Sequence, residues 1–144
     1  MHEMTRSERR TSVVLNYLSI AVIAAVIDMR EALALGVIPV VIIACGALAL
    51  AIFTFISVFW RTGLWSITHK GFRGLDERQV QIVYEALRSS YWIFAVVCLV
   101  ILYANAIAAK GHIPVVVAGS VLYSAHTLPA AVVAWTEKEM LVGP

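Results

Sequence analysis

His126 is the one His, Lys, Arg, Asp or Glu deep inside a long apolar run. At about 1.5 Å per residue it lies roughly 13 Å from Trp135, near the midplane of a bilayer crossed by that run, where an ionisable side chain suggests a proton or ion path. Ser120, Tyr123, Ser124 and Thr127 share its helix and give the run a polar stripe. A relay needs a second ionisable group at matching depth, and no Asp, Glu or Lys stands there. The same residues also suit helix packing, with Ser120 and Ser124 as a small-xxx-small contact and neutral His126 hydrogen-bonded across the bundle. Pro129 frees the carbonyl of Ala125 for such a network. A path lined by His126 and Tyr123 would require several copies of so short a chain.

Cys45 and Cys98 raise redox chemistry. Counted along their helices they sit about 22 Å and about 10 Å from one face, a mismatch far beyond the roughly 6 Å Cα separation of a disulfide. There is no C-x-x-C, no second intramembrane His, no G-x-S-x-G or H-E-x-x-H, and no Gly-rich phosphate loop. Cofactor and metal are therefore expected to be none, and catalysis has no residues in its favour.

The remaining chemistry lies in Gly71 to Arg88, the only sizeable polar segment. Asp76 is a good N-cap, and Gln79 three residues on is able to complete a capping box. Glu77 matches the positive end of the helix dipole. Beyond it, Val80, Tyr84, Leu87, Tyr91, Phe94, Cys98, Ile101 and Asn105 follow at steps of four and three, a predicted packing stripe. Arg78, Gln81, Glu85 and Arg88 occupy the other face, and with Arg73 they form a candidate docking face for a partner.

The elements that carry these residues follow from composition. Among 144 residues 61% are hydrophobic and 14% charged, against about 45–50% and about 25% in soluble domains. The net charge of +2, with no dense basic run, gives no footprint for nucleic acid. Four apolar runs, about 11–27, 36–60, 91–109 and 113–135, are long enough to span a bilayer, with a polar segment over 61–90. One helix is expected from Glu77 into the third run without a break. Leu64, Trp65 and Ile67 suit the membrane interface beside His69 and Lys70. Met1 to Ile27 resembles a signal peptide, but Asp28, Arg30 and Glu31 precede the small-x-small site Ala32-Leu33-Ala34, so a retained first helix starting near Thr11 is expected.

Nine of the eleven Lys and Arg fall on one side of this layout, leaving only Arg30 and Lys110 on the other. That asymmetry predicts both termini and the central segment in the cytoplasm. All four Trp lie near that face, and the short opposite loops require antiparallel hairpins.

The block Leu75-Asp76-Glu77-Arg78, with Ile82, Ala86 and Ser90-Tyr91 behind it, resembles that of small four-helix prokaryotic membrane proteins of unknown function. These carry an Asp-Glu-Arg block just before their third span. Glu85 stands where that group often has a basic residue. The resemblance implies an inner or plasma membrane location and no established activity. The expected fold is an all-α integral membrane bundle of four helices. Its expected role is that of an accessory or regulatory protein working in the lipid bilayer with itself or another membrane protein.

Overall fold

The computed structural model describes residues 4–69, 74–108 and 111–137. Within them the chain is all helical, and four helices are long and apolar enough to cross a membrane. They are α1 (Arg6–Asp28), α2 (Val37–Phe55, continued by a π-helical turn over Ile56–Trp60), α4 (Glu77–Ile107) and α5 (Val115–Thr136); a short α3 (Leu64–His69) lies between.

α1 begins at Arg6, five residues before the start expected from the apolar run. Thr5 and Glu8 form a reciprocal capping box: the Glu8 amide donates to Thr5 Oγ1 (3.3 Å) and the Thr5 amide to Glu8 Oε2 (2.7 Å). The cap satisfies the first-turn donors, so a polar turn stays helical ahead of the span.

The second run is helical throughout but changes pitch. The Arg61 amide bonds to the Ile56 carbonyl at 2.9 Å, five residues back. The extra residue in the turn turns two consecutive side chains inward, and Val58 and Phe59 are both fully buried. α3 follows Gly63, which holds φ 74°. Leu64 and Ile67 are not on the outer surface of this helix; both are buried under the end of the bundle. The reason is geometric: a six-residue helix covers the π-turn and the last turns of α5, so its apolar side meets protein. Trp65 meets Phe55 edge-on, with ring centroids 5.2 Å apart, and stacks on His69 at 3.8 Å.

α4 runs unbroken for 31 residues, about 46 Å, well beyond a hydrocarbon core of about 30 Å. Its packed edge is Val83, Ala86 and Ser90, continued by the half-buried Phe94, Cys98, Ile101 and Asn105. Tyr84, Leu87 and Tyr91, expected on that edge, are exposed. Close packing favours small residues where two backbones approach, and Ala86 belongs to one cluster with Ala130, Ala131 and Ala134 of α5. The bulky aromatics are left facing outward.

The four long helices stand in the order α2, α1, α5, α4, each packed on the next. No Cα of α1 comes within 8 Å of α4, nor any of α2 within 8 Å of α4 or α5, so the bundle is an open row. Its core, built from Val13, Val58, Phe59, Leu64, Ala130 and Val133 with their neighbours, lies at the end where α1 begins and α5 finishes. Towards the opposite end the row parts into a groove of about 360 Å³ between α1, α4 and α5.

Candidate functional site

Two polar assemblies organise the row, one inside it and one at its end. The inner one starts from Asn16, which is fully buried on α1. Its Nδ2 donates to the Ala51 carbonyl (2.9 Å) and to Thr54 Oγ1 (3.0 Å) of α2. Its Oδ1 accepts from the Tyr123 hydroxyl of α5 at 2.8 Å. Next to it the Tyr17 hydroxyl lies 2.9 Å from Thr127 Oγ1.

The donors can be assigned. Thr127 has a single hydroxyl proton and gives it to the Tyr123 carbonyl at 3.0 Å, so Tyr17 donates to Thr127. Thr54 likewise gives its proton back to Leu50 or Ala51, so it must accept from the Asn16 amide, which fixes that amide's orientation. Every side chain in the set thus has a partner, and α1, α2 and α5 are tied at one level.

The five residues singled out on α5 separate by helical phase. Tyr123 and Thr127 enter this network. Ser120 and Ser124 donate to carbonyls of their own helix, Val116 at 2.8 Å and Ser120 at 2.9 Å, and line the groove. His126 points elsewhere. It is exposed, and its Nδ1 lies 3.0 Å from the Leu122 carbonyl of its own helix, so it makes no bond across the bundle. One residue of helix is a turn of about 100°, enough to place Thr127 inside and His126 outside.

The second assembly joins the start of α1 to the end of α5. Arg10 sends Nε and Nη2 to the Trp135 carbonyl (3.2 and 2.9 Å), with its guanidinium carbon 4.8 Å above the Trp135 ring. Arg9, almost fully buried, donates from Nη2 to the Glu137 carbonyl at 3.0 Å, and Arg6 reaches the Thr136 carbonyl at 3.4 Å. α5 has no basic residue in its own last turn. The first turn of α1 therefore supplies three cations to the negative end of the α5 dipole. In the sequence these arginines count only as charges; their spacing along one helix turn is the signal that they converge.

On α4, Asp76 Oδ1 accepts from the Gln79 amide at 2.7 Å and Gln79 Oε1 from the Asp76 amide at 3.3 Å, a capping box worth about 1 kcal/mol. Arg78, Gln81, Glu85 and Arg88 are all exposed, with Gln81 Nε2 bonded to Glu85 Oε1 at 3.1 Å. Glu85 also borders a cleft of about 110 Å³ between α4 and the end of α5. Arg73 lies outside the described residues. Cys45 is exposed and Cys98 half-buried, both as free thiols on helices that do not approach each other. Among the described residues no three His, Cys, Asp or Glu gather as metal ligands would. No protein family, curated protein or solved structure matches this chain.

Proposed function

We propose that this chain is a non-enzymatic accessory or regulatory protein of a prokaryotic inner or plasma membrane. It spans the bilayer four times with both termini cytoplasmic, and acts by packing with itself or a membrane partner. The observation that carries the reading is the closed polar network around Asn16, whose side chains satisfy one another and lie at one level of α2, α1 and α5 rather than in a file running along the helices. The chain's specific polar surface is then the start of α4, where Arg78, Gln81, Glu85 and Arg88 stand outward beside a cleft. Folding asks little of these four side chains, which suits a docking face centred on Arg78 with Arg73 in support. The stretch from Leu75 to about Phe94 resembles that of small four-helix prokaryotic membrane proteins of unknown function, which fits the same reading.

Reversing Arg78 to Glu tests it. Surface changes normally stay within about 0.5 kcal/mol, so Arg78→Glu should keep expression, insertion and melting. It should also lose a protein that co-purifies with the wild type in mild detergent, or the phenotype that deletion produces. Retention of both would remove the docking face from the account.

A second reading, a subunit of an oligomeric transporter or channel, is favoured by one observation: His126 is exposed at mid-span. An imidazole facing lipid is costly, and a path between copies would relieve it, with Tyr123 behind it in the wall. That reading predicts a pH-dependent flux in proteoliposomes that His126→Gln abolishes while assembly persists. Absence of flux from the wild type refutes it.

A further inference from the structure

Two polar groups on the outside of the row are left without partners. His126 Nδ1 lies 3.0 Å from the Leu122 carbonyl, which can only accept, so the ring hydrogen is on Nδ1 and Nε2, on the far side of the ring, is a bare acceptor. Trp92 of α4 is 64% exposed, its ring meets that of Tyr91 edge-on at 6.0 Å, and among the described residues its indole N–H has no acceptor. One group lacks a donor and the other lacks an acceptor.

The register of α4 against α5 puts the two at one level. Ile101 faces Val117 across the groove, and Ile82 shares a cleft with Thr136, so the helices run antiparallel. From Ile101 back to Trp92, and from Val117 on to His126, are nine residues in each case, leading the same way along the row by about 13 Å. Nine residues are two and a half turns, so both side chains stand on the face opposite the groove. Trp135 is nine residues further along α5, which leaves Trp92 about 13 Å deeper than an interfacial belt at Trp135. At that depth no water is at hand for an indole N–H or an imidazole lone pair.

Leu99 and Gly119 repeat the match in shape. Each is two residues from the same facing pair, so they too are level and turned outward. Leu99 is 52% exposed, and a Cβ added at Gly119 would meet nothing within 4 Å. Within one copy α4 and α5 lie side by side and present these groups in the same direction, so donor and acceptor do not meet. A second copy, turned by half a turn about the membrane normal, keeps every level and sets α4 of one against α5 of the other. We propose that the chain pairs with a second copy of itself across this face. Trp92 Nε1 donates to Nε2 of the second copy's His126, and Leu99 seats over the second copy's Gly119, each contact being made twice. Small residues opposite large ones and bonds between polar groups are what hold helices together in lipid. The inference rests on the four spans and the self-packing of the proposed function, and it does not use the docking face on Arg78.

Energy transfer between full-length chains carrying donor or acceptor dyes at the N-terminus, in vesicles of phosphatidylethanolamine and phosphatidylglycerol diluted with lipid, tests it. The wild type should dimerise. Trp92→Phe and His126→Leu should each weaken the dimer by about tenfold, one bond being lost at each of two equivalent sites. The double variant should be no weaker than either single one, because both changes remove the same bond. Gly119→Leu adds a side chain where a single copy has open space, so it should keep the helical content of the wild type and still weaken the dimer by about tenfold or more. With Cys45→Ala and Cys98→Ala as background, Leu99→Cys combined with Gly119→Cys should oxidise to a covalent dimer. A monomeric wild type, a dimer that survives both Gly119→Leu and Trp92→Phe, additive losses in the double variant, or cross-links confined to one chain or reaching a different protein would overturn the proposal. Arg78→Glu should leave the dimer intact; its loss there would move the contact to the docking face, ending this inference and leaving that reading in place.

Discussion

Replacing Asn16 by Leu should destabilise the row by about 2–4 kcal/mol. The side chain is fully buried and makes three bonds to two other helices, two as donor and one as acceptor. Interhelical bonds in membranes average about 0.6 kcal/mol, and the Tyr123 hydroxyl, left with no acceptor, adds about 1–3 kcal/mol. Leu is similar in size, so little of the loss comes from a cavity. The control is Asn105→Leu. Asn105 bonds only to the Ile101 carbonyl of its own helix at 2.8 Å, and its loss should cost about 0.5 kcal/mol or less. Denaturation of both variants in mixed detergent, followed by circular dichroism, provides the comparison. Equal midpoints for the two would mean that the Asn16 network does not hold α1, α2 and α5 together.

Arg9→Lys and Arg10→Lys are expected to lower stability by about 1–2 kcal/mol each, although neither changes the charge that orients the chain. Arg10 places two donors on one carbonyl and lies over Trp135, and Arg9 brings a buried planar group to Glu137. An ammonium has neither the fork nor the flat face. Bonds to charged groups contribute about 1.5–3 kcal/mol, of which a Lys recovers a part. The local readout is amide exchange over Val133–Glu137, which should quicken in both variants. Unchanged exchange and melting would return these arginines to a role as orientation signals alone.

Much of the architecture was open to reading because a bilayer imposes it. Apolar runs of spanning length have few alternatives, and the four helices fall within a few residues of the expected spans wherever a run ends in charge. The Asp76 cap was also legible, since it involves residues three apart and no tertiary contact. The start of α1 carries the same kind of signal, Thr5 followed by Glu8, but it lies ahead of the apolar run, where hydropathy marks nothing.

What could not be read depends on neighbours. Asn16 and Thr54 are single polar residues in apolar runs, and nothing in either run says that the other is 3.0 Å away. The expected stripe on α4 fails at Tyr84, Leu87 and Tyr91, which are exposed, because large apolar residues mark the inside only of a soluble helix. Where lipid is the solvent they lose that meaning, and small residues such as Ala86 and Ser90 locate the contact. The π-turn at Ile56–Trp60 left no trace in composition, and it decides that Val58 and Phe59 are both core. The polar residues of α5 shared a helix but not a face, so a list of types placed His126 with Thr127 although the structure turns them apart.

The account as a whole requires the start of α4 to lie in the cytoplasm, since a docking face on Arg78 to Arg88 is useful only where a partner can reach it. Arg10 and Trp135 already join the two chain ends at one end of the row, so the side on which that end sits is what must be measured. Alkaline phosphatase, active only outside the cytoplasm, fused in turn after Met29, Gly74, Gly111 and Pro144 measures it in living cells. The account predicts activity after Met29 and Gly111 and none after Gly74 or Pro144; the opposite pattern, or activity after Pro144 alone, would contradict it.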